Sequence, residues 1–140
     1  MTQPNGPAQS TAANATSTTK PYAARPDAID WQRVDDSGTR SATFNGTRDA
    51  GQTFTYAFHI PAGFWDRPHS HSGAARVFVA TGELRIGYGN ELEPSEALSY
   101  PAGSYLYVPA GAVHFDGADI DTTIYGVSTG PWSTDYVDEA

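Results

Sequence analysis

Glycine and proline punctuation sets the main limit on what this chain can fold into. Pro61-Ala62-Gly63, Thr81-Gly82, Pro101-Ala102-Gly103 and Pro109-Ala110-Gly111 cut its middle into runs too short for helices. Between the cuts lie β-branched and aromatic segments. Phe54 to Ile60 is predicted as a strand, with Tyr56, Phe58 and Ile60 on one face and Thr55, Ala57 and His59 on the other. Arg76 to Ala80, Tyr105 to Val108, His114 to Asp116 and Thr122 to Val127 read the same way. Glu83 to Tyr88 alternates polar and apolar residues, the period of a half-buried strand. Many short strands and no helical period predict an all-β sandwich or barrel.

The ends of the chain differ from its middle. Residues 1–25 are rich in Thr, Ser, Ala, Asn and Pro and poor in large apolar side chains, so they bury too little to offset ordering entropy. They are expected to be a disordered tail, leaving residues 26–140 as one domain. Trp31 and Val34 anchor the first ordered segment, and Asp35-Asp36-Ser37-Gly38 forms a turn. Trp65 and Asp66 are placed in a loop before His69 where they could border the mouth of a site, Ser99 to Gly103 is read as a turn, and an acidic tail follows Gly130-Pro131-Trp132.

Composition excludes several functions. The formal net charge is -8, which repels phosphate backbones, so a nucleic-acid partner is not expected. With no cysteine in the chain, disulfides, thiolate ligands and cysteine nucleophiles are ruled out. No apolar run approaches the ~20 residues of a membrane span, and no secretory signal is evident, so the default expectation is cytoplasmic. There is no G-x-S-x-G elbow, and Gly87-Tyr88-Gly89 does not lead into a helix as a phosphate loop would.

Pro68-His69-Ser70-His71 carries the chemistry. His69 and His71 stand one residue apart, so a strand would aim both imidazoles at one side, which is half of a transition-metal site. Gly63, five residues, His69-Ser70-His71, then Gly82 resembles the first motif of the cupin superfamily. Gly103, five residues, Pro109-Ala110-Gly111, two residues, His114 resembles the second. The resemblance implies a double-stranded β-helix, or jelly roll, with His69, His71 and His114 as metal ligands inside the barrel. It also implies a homodimer. The family usually adds a glutamate where this chain has Ala75, and often an asparagine where it has Ala118. Arg76 cannot replace the glutamate, because a guanidinium has no lone pair for a metal.

Three neutral imidazoles leave an ion its full charge and open coordination positions. That favours a small anionic substrate able to chelate, such as an enolate or a hydroxy acid. The resemblance favours Fe2+ and dioxygenase chemistry, with Zn2+, Mn2+ or Ni2+ as alternatives. A non-redox isomerase or cyclase and a binding or sensing module without turnover are the competing readings. Asp116, two residues beyond His114, is a candidate catalytic base, a group that orients a histidine, or a replacement for the absent carboxylate, and Tyr125 is a candidate catalytic hydroxyl. His59 is read as structural.

Overall fold

The computed structural model describes residues 20–137. Eleven strands are present: β1 (Gln32–Arg33), β2 (Arg40–Gly46), β3 (Thr53–Ile60), β4 (Trp65–His71), β5 (Ala75–Thr81), β6 (Glu83–Tyr88), β7 (Leu98–Pro101), β8 (Tyr105–Val108), β9 (His114–Gly117), β10 (Thr122–Thr129) and β11 (Thr134–Tyr136). Single 3-10 turns occur at Pro26–Ala28 and Pro94–Glu96. The strands form a six-stranded sheet in the order β1-β2-β3-β10-β5-β8 and a five-stranded sheet in the order β11-β4-β9-β6-β7. Every pairing between strands is antiparallel. This is the jelly roll that the strand spacing and the two motifs anticipate. No helix among the described residues is long and apolar enough to cross a membrane.

Alternation decides which side chains meet between the sheets. On β5, Ala75, Val77 and Val79 are buried while Arg76 and Phe78 are exposed. Leu84 and Ile86 of β6, Leu106 and Val108 of β8, and Ile60 and Ile124 join the same core. Burial of such aliphatic side chains contributes roughly 1.5–3 kcal/mol each, so this cluster is the main cohesive element. The outward aromatics Phe78, Tyr105 and Tyr107 remain 45–52% exposed, with Arg76 lying over the Tyr107 ring.

Gly82 and Gly126 are among the glycines demanded by contact. Gly82 turns the chain from β5 into β6 at φ +79, and a Cβ there would lie 2.4 Å from both the Asp121 carbonyl oxygen and Thr122 Oγ1. Thr122 is fully buried and accepts a hydrogen bond from the Glu83 amide at 3.0 Å, which ties this turn to the start of β10. Gly126 lies under Tyr56, its partner on β3, and a Cβ would come within 2.2 Å of that ring.

Several sequence expectations are corrected. Trp65 and Asp66 belong to β4, not to a loop, and Leu98–Pro101 is a strand instead of the start of a turn. The supposed tail beyond Trp132 supplies β11, which pairs with β4. Of the segment expected to be disordered, residues 1–19 lie outside the described residues; within the remainder, Tyr22 packs its ring 6.4 Å from Phe44. The Asp35-to-Gly38 turn is present, closed by a hydrogen bond from the Ser37 amide to Asp35 Oδ1 at 2.8 Å.

Gly126→Ala should therefore destabilise the fold by about 1–3 kcal/mol through overpacking against Tyr56. Urea unfolding should show a lower midpoint with an unchanged slope.

Candidate metal centre

β4 and β9 bring the three histidines together. His69 pairs directly with His114 across this ladder, so their side chains share the inner face. His71 lies two residues along on the same face. The three rings have centroids 4.4–5.4 Å apart, and each residue offers a nitrogen within 4.8 Å of the other two.

Each Nδ1 already faces an oxygen. His69 Nδ1–H donates to the Arg67 carbonyl at 2.6 Å and His114 Nδ1–H to the Ala112 carbonyl at 3.0 Å. His71 Nδ1–H donates to the Ser133 carbonyl at 3.3 Å, with Thr134 Oγ1 3.2 Å away. A carbonyl can only accept, so these contacts assign the proton to Nδ1 and leave each Nε2 lone pair available. Burial, helped by His69 and His114, drives the His71 pKa down to about 3, and burial also lowers that of His114 against the opposing pull of Asp116. Both effects favour the neutral imidazole that a metal requires. The donor set thus fits a divalent ion. Trp132 stacks on His71 with centroids 4.4 Å apart and ring planes 17° from parallel, fixing the third ligand's orientation.

A pair of carboxylates adjoins the histidines. Asp66 pairs with Asp116 across β4 and β9, and both come within 4.8 Å of a His69 nitrogen. Two residues lie between Asp66 and His69 on β4, but only one lies between their partners Asp116 and His114 on β9. This bulge, at Arg67-Pro68, returns Asp66 to the histidine face. Proline is tolerated there because a bulged residue need not donate to the ladder. Burial, reinforced by Asp116, pushes the Asp66 carboxyl up to about 6, although His69 and a hydrogen bond from Tyr136 act in the other direction. Tyr136 Oη donates to both Asp66 oxygens, at 2.9 and 3.2 Å.

These groups line a cavity of about 120 Å³ between the sheets, shared with Tyr56, Phe58, Val77, Leu106, Ile124, Trp132 and Arg48. Ala75 lines it too and is 5% exposed, so the position of the absent glutamate does face the site. Asp116 is at the cavity as its spacing from His114 suggests. Tyr125 is not. Its β-ladder partners place it on the outer face of the six-stranded sheet, where its ring meets Phe44 edge-on at 5.4 Å. The inward residues of β10 are Thr122, Ile124, Gly126 and Ser128, and the cavity tyrosine on this sheet is Tyr56. His59 lies outside the cavity, its Nδ1 3.3 Å from Thr123 Oγ1 and its ring against Trp31. Sequence reasoning missed Thr134 and Tyr136 as site residues because β11 is short and polar, and Trp132 because it lies outside any strand. It missed Asp66 as a partner of the histidines because the bulge reverses its apparent face.

Two sheets closed around three inward histidines define a cupin. The chain belongs to the ChrR cupin-like domain family, whose model matches residues 19–133. Among solved structures it resembles the polyketide cyclase RemF from Streptomyces resistomycificus, with TM-score 0.66, 14% identity, and coverage of 86% of this chain and 88% of that one. A proposed acetylacetone dioxygenase from Methylibium petroleiphilum superimposes with TM-score 0.64 and 22% identity, over 89% of this chain and 85% of that one. KdgF from a Halomonas species matches with TM-score 0.58 and 17% identity, over 78% and 91% of the two chains. At these identities the likeness is one of fold. A search of curated protein sequences gives no match.

Acid should affect the metal-free protein through groups that act in opposite directions, among them His71 and Asp66. His71 titrates near 3 in the folded state, below its ordinary 6.5, so the stability it contributes is present above about pH 6.5 and is lost as pH falls toward 3. Asp66, raised from 3.8 to about 6, acts oppositely and adds stability as pH falls from about 6 toward 3.8. In chelator, His71→Gln should therefore show a shallower loss of melting temperature between pH 6.5 and 4 than the parent, and Asp66→Asn a steeper one.

Proposed function

We propose that the protein is a metal-dependent enzyme acting on a small chelating anion, with dioxygenase chemistry on an enolisable or hydroxylated acid or ketone as the leading form. The observation that supports this most is the donor set itself. The Nδ1 protons of His69, His71 and His114 are committed to carbonyl oxygens, burial holds His71 and His114 toward the neutral form, and the position that usually supplies a carboxylate is Ala75. Bound there, a divalent ion would act as a Lewis acid toward an anionic substrate and, if it were Fe2+, would supply one-electron chemistry with oxygen. Fe2+ is the favoured ion, with Zn2+, Mn2+ or Ni2+ compatible with the same ligands.

The chain's own residues supply the rest. The cavity is well below the ~300–1,000 Å³ of sites for drug-sized ligands, so its substrate is small. Phe58, Val77, Leu106 and Ile124 line it and exclude water from the reacting atoms. Asp116, beside the histidines, would accept a proton from a substrate C–H or O–H group. Asp66, held by Tyr136, carries a proton at mildly acidic pH and can return one. The similarity to a proposed acetylacetone dioxygenase agrees with an enolisable substrate.

The Asp66–Asp116 pair also favours a second reading, a non-redox cyclase or isomerase, because paired carboxylates can move protons without any change in oxidation state. The similarity to a polyketide cyclase is consistent with that alternative. Metal analysis and oxygen consumption separate the two. Protein purified without oxygen should hold about one Fe2+ per chain and consume oxygen when given a β-diketone or hydroxy acid. Stoichiometric zinc with product formation and no oxygen uptake would select the second reading. Retention of metal by His69→Ala and His114→Ala would overturn both.

Ala75→Glu should tighten metal binding by ~10-fold or more, since it adds a carboxylate at a cavity-facing position. Competition with a chromophoric chelator would measure the change. Saturating metal should also raise the parent's stability, by about 2.7 kcal/mol at a hundred times the dissociation constant.

A further inference from the structure

Arg48 lies on the connection between β2 and β3, yet its side chain reaches the same cavity as the histidines. The backbone around it is firmly seated. The Gly51 amide donates to the Gly130 carbonyl at 3.0 Å, and the Gly130 amide donates to the Gln52 carbonyl at 2.8 Å. A Cβ on Gly130 would lie 2.1 Å from the Arg48 carbonyl oxygen, so the loop rests directly on that glycine. The guanidinium carbon sits 4.5 Å from the centroid of the fully buried Phe54 ring. Phe54 meets Trp132 edge-on at 5.6 Å, and Trp132 stacks on His71. Arg48 is therefore linked to the histidines through two rings, at a separate part of one cavity.

Its charge is unbalanced. Nη1 donates to Thr43 Oγ1 at 3.0 Å, while Nε is buried with no hydrogen-bond partner. Arg33 pairs with Asp36 and Arg85 with Asp119, and no acid among the described residues pairs with Arg48. A partly buried guanidinium without an acid carries a desolvation cost that a bound anion would offset. Its planar fork matches a carboxylate through paired hydrogen bonds.

We propose that Arg48 is a second substrate anchor: it takes up a carboxylate on a molecule whose other end chelates the ion at His69, His71 and His114. The substrate class is then small bifunctional acids in place of simple diketones. This rests on the three-histidine reading and narrows the substrate that reading leaves open.

Titration calorimetry on zinc-loaded protein tests it, with zinc chosen because it supports no turnover with oxygen. Two probes are compared, acetylacetone and the same diketone bearing a carboxylate on one terminal methyl. The parent should bind the carboxylated probe ~10-fold or more tightly than acetylacetone, the scale of one charge-assisted contact. Arg48→Gln should erase that preference while leaving affinities for zinc and acetylacetone unchanged. Arg48→Lys, which keeps the charge and loses the fork, should retain part of it and serves if the glutamine variant does not fold. Equal binding of both probes by the parent, or a preference that survives in Arg48→Gln, would overturn the proposal. The carboxylated probe is also titrated into chelator-treated protein. Arg48-dependent binding there, with no zinc retained by the parent, would sink the three-histidine reading and leave the carboxylate anchor standing. Zinc retention with no Arg48 dependence would do the reverse.

Discussion

The register between β4 and β9 is the constraint on which this site depends. Opposing His69 to His114 on an antiparallel ladder brings two imidazoles together without a helix or a metal-binding loop. His71 follows by strand period, and β11, pairing along the other edge of β4, brings up Thr134 opposite His71 and Tyr136 opposite His69. A one-residue slip would turn the ligand set away from the cavity. The Arg67-Pro68 bulge helps to make that slip costly, because it matches only one alignment of the two strands. The same bulge returns Asp66 to the inner face, so one backbone irregularity both pins the ligands and supplies a second carboxylate.

Much of this was legible in the sequence, and the failures have identifiable physical causes. Glu83–Tyr88 and Tyr105–Val108 match their predicted limits because alternation and proline or glycine stops agree there. The three histidines were legible through motif spacing, and Asp116 through its distance of two from His114. Asp66 was not, since an odd separation from His69 points it to the wrong face unless the bulge is known. Tyr125 misled for a related reason. On β10 either parity could face inward, and the choice is made by Thr122, which the Gly82 turn holds in the interior. Thr134 and Tyr136 had no local signal, because β11 owes its existence to β4 more than to its own residues.

Electrostatics gives the cavity a division of labour. At one part, buried imidazoles and a carboxylate pair gather proton-carrying groups around the histidine nitrogens. At another, Arg48 holds a cation over Phe54 with little to neutralise it. Between them the lining is apolar and aromatic, so field from either part is weakly screened. A chain of net charge -8 thus keeps a guanidinium at its cavity, across the apolar lining from two carboxylates.

The Trp132–His71 stack has an optical consequence. An indole lying 4.4 Å from a ligand imidazole senses the electronic state of that ring. Trp31, beside His59, and Trp65, on β4 near Phe115, have no comparable stack with a candidate ligand. Occupation of the histidines therefore carries its own fluorescence signal, written into the native chain. Filling of the cavity can be followed through Trp132 without a label and without turnover.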